Sequence, residues 1–225
     1  MLGGLFPEDV ATAWGDPLLP STPLFPEEAA LVAAAVPKRQ LEFAKGRECA
    51  RKALRALGLA DAPLLAAASR EPLWPAPAVG SITHTRGFCA AAVARAERYR
   101  GIGIDAEPAE PLERAIAARV CRAGEAETFE GTLERAVVPR LVFCAKEAVY
   151  KCVFPIVRRY LGFHDVNVVL TDGAFRACLL TEAPPFPIGT TLFGRWRLVT
   201  GSEPVSPEAA HVVASAWLSH EKRLP

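Results

Sequence analysis

The sequence predicts an α+β protein of two similar halves, and three observations carry that expectation. Two long helical stretches stand one in each half, KRQLEFAKGRECARKALRALG (38–58) and VPRLVFCAKEAVYKCVFPIV (138–157). Each is followed by strand-like runs rich in β-branched and aromatic residues. The two helices also share a pattern when Phe43 is laid over Phe143 and both turn at roughly 100° per residue. Phe43, Ala50 and Leu54 then form one apolar stripe, and Phe143, Tyr150 and Phe154 another, with Arg47 and Arg51 on the same flank as Glu147 and Lys151.

Taken in order, residues 1–25 are proline-punctuated and read as a segment wrapping a surface. Pro26-Glu27-Glu28 opens a helix to about Val36, with proline at its first position and acids in its first turn. The helix after Pro37 is built of strong formers and stops at Gly58. A proline-rich connection, REPLWPAPAVG, leads to strands at SITHT and FCAAAVA, joined at Arg86-Gly87, and to a third strand at RGIGIDAE. PLERAIAARV reads as a helix, GEAETFEGTLE as a polar, acidic segment, and the second long helix is expected to end before Pro155. Four strands complete the chain: DVNVVL, AFRACLL, TTLFGRWRLVTG and HVVASAWLS.

Composition bounds the function. The 225 residues are 51% hydrophobic and 23% charged with a net charge of +1, so nothing points to nucleic acid or an acidic membrane surface. The six cysteines form no CxxC pair and have no neighbouring histidines, which excludes a zinc-ligand pattern and leaves buried free thiols. The N-terminus has no basic segment before its apolar run, and no run is long enough to span a bilayer. The chain reads as cytoplasmic, and the two-half layout makes a monomer sufficient.

GIGIDAEPAEP (101–111) places Asp105 and Glu107 two residues apart, on one face of a strand. Like charges so placed fit a strand end running into a solvated loop, or a hard-cation site of the kind Mg²⁺ favours. A third carboxylate is available at Glu147, which lies among Phe143, Tyr150 and Phe154 on the stripe turned to the protein. Lys151, four residues on, fits a plain helical ion pair with it, yet the pair sits beside the apolar stripe rather than opposite. Arg47, Arg51, Lys52, Arg70 and His84 together could receive a polyanion, although each alone also reads as a solvated charge or, for His84, a satisfied strand histidine. With no GxxxxGK[ST] and no GxGxxG, neither a P-loop nor a dinucleotide site accounts for them.

GIGIDAE (101–107) and FCAKEAVYK (143–151), with GSITH (80–84) upstream, resemble the 4′-phosphopantetheinyl transferases, most closely the bacterial Sfp/EntD-like group. FAKGRECARKAL (43–54) and REPLWP (70–75) add to the likeness, which covers roughly residues 37–165. The resemblance implies two halves related by a pseudo-twofold axis, each a small antiparallel sheet with a long helix, with coenzyme A between them. It divides the chain into an N-terminal half, 1–105, contacting the phosphates and adenine, and a C-terminal half, 106–225, carrying the metal and catalytic groups. Asp105, Glu107 and Glu147 match the family's magnesium-binding acids, with Mn²⁺ an alternative. Lys151 matches the motif lysine on the pyrophosphate, and Lys146 the lysine before the metal acid. His84, preceded by Ser81 and Thr83 where the family often has S-x-S, matches the histidine on the 3′-phosphate, with Ser81, Thr83, Arg47, Arg51 and Arg70 grouped around coenzyme A. Phe143 stands where tryptophan is usual.

The implied reaction moves the phosphopantetheine arm of coenzyme A to a serine of an acyl or peptidyl carrier protein of siderophore, polyketide or peptide synthesis, releasing adenosine 3′,5′-bisphosphate. Glu147, directly or through a metal-bound water, is the expected base, and the carrier is expected to dock near Arg114–Arg122 or Arg135–Arg140. A metal-dependent hydrolase of coenzyme A, or a coenzyme A-binding module without chemistry, would use the same pocket. Intact Asp105, Glu107, Glu147 and Lys151 argue against the module.

Overall fold

A computed structural model describes residues 1–200 and 210–220; Gly201, the last residue of the strand expected over 190–201, lies outside the described residues. The N-terminal elements are β1 (Ala11–Gly15), α1 (Pro26–Val32), α2 (Pro37–Ala56), β2 (Ala78–Thr85), β3 (Phe88–Arg95) and β4 (Tyr99–Pro108). Then come α3 (Arg114–Val120), α4 (Val138–Val157), β5 (Val166–Thr171), β6 (Ala174–Leu179), β7 (Thr191–Val199) and β8 (His211–Ser219). The strands form two antiparallel sheets, a three-stranded one in the order β1-β3-β2 and a five-stranded one in the order β4-β8-β7-β6-β5.

Side-chain alternation along β3 and β4 sets the layers. Ala91 and Val93 face α2 and meet Cys49, Ala50, Ala53 and Leu54, while Phe88, Ala90, Ala92 and Ala94 face the other way. That second face packs on Ile102, Ile104 and Ala106 of β4. Gly101 and Gly103, alternating with those isoleucines, turn to α4. The order is therefore α2, small sheet, large sheet, α4, and β3 reads as a continuous apolar run because it is covered on both faces.

Each sheet ends at the seam on an edge strand, β2 or β4, whose free backbone groups need partners. Side-chain hydroxyls supply them. Ile104 N–H donates to Ser81 Oγ (3.2 Å) and Ala106 N–H to Thr83 Oγ1 (3.1 Å). The hydroxyls at 81 and 83 thus stitch the two sheets together without merging them.

Three local expectations are corrected. Residues 1–25 contain β1, and Leu5, Phe6 and Val10 enter the core between the sheets; ATAWG lacks the β-branched run that marks a strand, and its pairing with β3 makes it one. The first helix stops at Val32 rather than near Val36, where Gln40 Nε2 donates to the carbonyls of Val32 and Ala35. The second long helix passes through Pro155 to Val157, because a proline in the last turn removes only one backbone bond; Arg158 then caps the helix in the left-handed region. β4 pairs along its length with β8. All six cysteines are free thiols, four of them buried.

Candidate active site

The site begins with two glycines. A Cβ on Gly103 would stand 1.8 Å from the Ala148 carbonyl oxygen, and one on Gly101 2.3 Å from that of Cys152. Only bare backbone lets α4 lie this close to β4. The approach brings Lys151 over the strand at Asp105, and their contact, Lys151 Nζ to Asp105 Oδ1, is 2.6 Å. Lys151 also donates to the Ile104 carbonyl (3.3 Å), and Thr83 Oγ1 donates to the same Asp105 oxygen (3.1 Å).

Asp105 is 5% exposed, and its other oxygen, Oδ2, is buried without a hydrogen-bond partner. Such an orphan acceptor is costly unless a ligand meets it. Glu107 and Glu147 are half-buried nearby, and burial raises both carboxyl pKa values, with the charge of Asp105 adding to the rise. Arg140 Nη1 at 3.1 Å from Glu107 Oε2 offsets part of the first, and Lys151 part of the second. Burial alone would pull Lys151 down, but Asp105 and Glu147 outweigh it and hold the ammonium above its ordinary value. Burial is the larger cause of both rises, and the two nearby cations offset only part of them. Among the described residues no three acidic, histidine or cysteine side chains converge as a ready metal cluster, so the three acids are neighbours rather than a closed cage. Their donors are all carboxylate oxygens, the set a hard divalent cation takes.

A second group lies across the seam on β2 and the start of α2. His84 Nε2 contacts Arg39 Nη1, and its Nδ1 is 3.4 Å from Glu42 Oε2. Burial and Arg39 lower the His84 pKa, against the pull of Glu42. Lys151 and Asp105 also act on it, which ties the two groups into one electrostatic unit. Arg47 is buried beneath, its Nε donating to the Leu64 carbonyl (2.9 Å) and its guanidinium 4.2 Å over the Phe43 ring. Burial lowers its pKa to about 10, so it stays charged at neutral pH. A small cavity is lined by Lys146, Glu147, Tyr150, Tyr160, Leu161, Gly162, Phe163 and Val166.

Two family models match these parts. One, the 4′-phosphopantetheinyl transferase N-terminal domain, covers residues 27–94, and the other, the 4′-phosphopantetheinyl transferase superfamily, covers 101–205. The 4′-phosphopantetheinyl transferase PptT of Mycobacterium tuberculosis is 40% identical over 205 residues, 86% of this chain and 89% of its own. The chain belongs to the 4′-phosphopantetheinyl transferase superfamily. The transferase Svp of Streptomyces mobaraensis is 43% identical over 192 residues, 82% of this chain and 78% of its own. Enterobactin synthase component D of Salmonella typhimurium is 33% identical over 117 residues, about half of each chain.

The transferase does not bring all of its expected site residues to the cleft. Arg51 is buried, with Nη1 2.8 Å from Glu28 Oε2 and Nη2 donating to Thr22 and the Pro23 carbonyl, so its charge is spent inside the N-terminal half. Lys146 is turned inward in the same way, onto Glu125 and two carbonyls. Ser81 serves the seam, and Thr83 serves both the seam and Asp105. Arg70 is exposed on a turn with φ of 73°; beside it Glu71 pairs with Arg158 at the end of α4. Glu110, exposed just past the end of β4, pairs with Arg86. The apolar stripe of α4 is also shifted: Leu141, Ala145, Ala148 and Cys152 face the core, while Phe143, Tyr150 and Phe154 are half-buried on its flank.

Arg39, Glu42 and Arg140 belong to the site and were not singled out as its members by the sequence. Lys38-Arg39 and Glu42 at a helix start look like ordinary surface charges, and only the fold brings His84 to them. Arg140 read as part of a basic docking stretch; instead it grips Glu107 and the carbonyls of Glu110 and Pro111.

Proposed function

We propose that this transferase moves the 4′-phosphopantetheine arm of coenzyme A onto a serine of acyl or peptidyl carrier proteins and releases adenosine 3′,5′-bisphosphate. The observation that carries the proposal is Asp105: one oxygen held by Lys151 and Thr83, the other buried and unpartnered beside two carboxyl groups of raised pKa.

Asp105, Glu107 and Glu147 would hold Mg²⁺, or Mn²⁺ on the same oxygen donors, and the cation when bound supplies charge neutralisation at the pyrophosphate. The chain's own groups do the rest. The serine oxygen forms a bond to the phosphorus bearing the pantetheine, and the bond from that phosphorus to the bisphosphate oxygen breaks. The serine proton passes toward Glu147, directly or through a water, and burial holds that carboxyl above its ordinary pKa in the metal-free protein. Lys151, kept positive by Asp105, steadies the leaving phosphate. His84, Arg39 and Arg47 hold the 3′-phosphate in the N-terminal half, and the cavity beside Glu147 receives the pantetheine arm in the C-terminal half. A pseudo-twofold relation between the halves accords with a long helix on the outer face of each sheet. Carrier docking on α3 accords with Ile116 exposed there between Arg114 and Arg119. No helix among the described residues is long and apolar enough to cross a membrane; action as a monomer in the cytoplasm is part of the proposal.

The test is to incubate the protein with coenzyme A and a panel of apo carrier proteins, with Mg²⁺, with Mn²⁺ and with chelator, and to follow carrier mass. A phosphopantetheine mass gain that depends on the cation and is lost in a folded Asp105→Ala variant is the expected result. Coenzyme A cleavage with no carrier modified would instead make the protein a hydrolase.

A further inference from the structure

We propose that Lys146 and Glu125 form a buried positioning pair that sets the wall of the cavity beside Glu147, and thereby the seat of the pantetheine arm. The proposal rests on the reading that the arm occupies that cavity.

Lys146 directly precedes Glu147 on α4, so the two side chains leave the helix in different directions. Its Nζ lies 2.8 Å from the Val120 carbonyl, 2.7 Å from Glu125 Oε2 and 2.8 Å from the Phe163 carbonyl. An ammonium has three protons, and all three are committed. Lys146 is 2% exposed, so it has neither a free donor nor an opening toward a substrate phosphate. Glu125, 3% exposed, has its two oxygens filled as fully. Oε2 also accepts from Arg122 N–H (2.6 Å), and Oε1 accepts from Val168 N–H (2.7 Å).

One ion pair therefore fastens four segments to α4: the end of α3 at Val120, the connection at Arg122, the turn at Phe163 and the strand β5 at Val168. The turn matters most for the reaction. Tyr160, Leu161 and Phe163 form the cavity wall opposite α4, and the carbonyl Lys146 grips is that of Phe163 itself. Phe163 also packs its ring on Phe143, at 5.5 Å between centroids. A buried ion pair often adds little net stability over apolar packing, because desolvation opposes the attraction. What such a pair does provide is a fixed geometry, through directional bonds to named carbonyls and amides. Loosening it frees the wall near Glu147 and leaves the phosphate pocket around His84 and Arg39, across the seam, in place.

The test compares binding of coenzyme A with that of adenosine 3′,5′-bisphosphate, which lacks the arm, by calorimetry on the wild type, Glu125→Gln and Lys146→Met. The expected result is about tenfold weaker coenzyme A binding in the variants, the change that roughly 1.4 kcal/mol makes, with bisphosphate binding unchanged. Equal weakening of both ligands would overturn the proposal, as would unchanged coenzyme A binding in a folded variant. Should neither variant fold, hydrogen exchange on the wild type decides: coenzyme A, but not the bisphosphate, is expected to slow exchange at Val168 and over 161–166, and no difference between the ligands would overturn the role. Wild-type protein that binds coenzyme A no more tightly than the bisphosphate would instead remove the arm from the cavity, a failure of the underlying reading that is distinct from a lost split in the variants.

Discussion

Gly103→Ala adds one methyl group at the point where α4 touches β4. The new carbon would lie 1.8 Å from the Ala148 carbonyl oxygen, and 2.8 Å and 2.9 Å from Cys152 N and Ala148 C. Those neighbours are helix backbone, so no side chain can swing aside. To reach even 3.0 Å, the helix and strand must separate by at least 1.2 Å. Overpacking a core costs about 1–3 kcal/mol and sometimes more, and a rigid backbone contact belongs at the upper end. In a protein of this size each kcal/mol lowers the melting point by about 2–4 °C, which gives a fall of roughly 6–12 °C. The same shift acts on Lys151, whose 2.6 Å contact with Asp105 depends on that approach. Displacement of catalytic groups by about 1 Å can cost on the order of 100-fold in rate. Thermal melts and carrier-modification kinetics below the midpoint measure both effects. Gly3→Ala, where nothing lies within 4 Å, is the control. A Gly103→Ala protein that melts like the wild type and turns over normally would refute the role of the glycines in building the site.

Glu147→Gln should lower turnover by about 10²–10⁴-fold, as loss of a general base does, yet stabilise the metal-free protein at neutral pH. Its folded pKa is raised, so its contribution to stability is fully present below the ordinary value of 4.5 and lost as pH rises through the folded value; melts of variant and wild type across pH check the sign. His84 is held neutral by burial and Arg39 at pH 7, and a 3′-phosphate dianion reverses that balance. Coenzyme A binding should therefore take up a proton near pH 7 while dephospho-coenzyme A should not, a difference read by calorimetry in buffers of unlike ionisation enthalpy; equal uptake would remove His84 from the phosphate site. Arg51→Met leaves Glu28, 0% exposed, without its nearest cation, and should cost about 3–5 kcal/mol in urea unfolding with the KM for coenzyme A unchanged.

Both long helices, most strands and the acids of the site were legible in the sequence, because period and residue type are local properties. Helical register brought Glu147 and Lys151 to the strand bearing Asp105 and Glu107, and the structure joins Lys151 to Asp105 directly. The glycines of GIG had no local meaning. They acquire one only when α4 lies across them.

Charge in the sequence did not reveal its direction. Arg47, Arg51 and Lys146 looked alike as basic residues on helix flanks, and all three turn inward, Arg47 and Arg51 toward Glu28 and Lys146 toward Glu125. Glu125 stood in a segment that read as polar and acidic, and it is among the most buried charges of the chain. Ser81 and Thr83 stand in the stretch matched to coenzyme A binding, and in the fold their hydroxyls close the seam between two sheet edges. By itself the sequence determined the chemistry on offer, three carboxylates, a lysine and a histidine at helix and strand spacings. Tertiary structure decided which charges face the cleft and which neutralise one another inside, because burial without a partner is too costly for any of them and the partners lie tens of residues away in the chain.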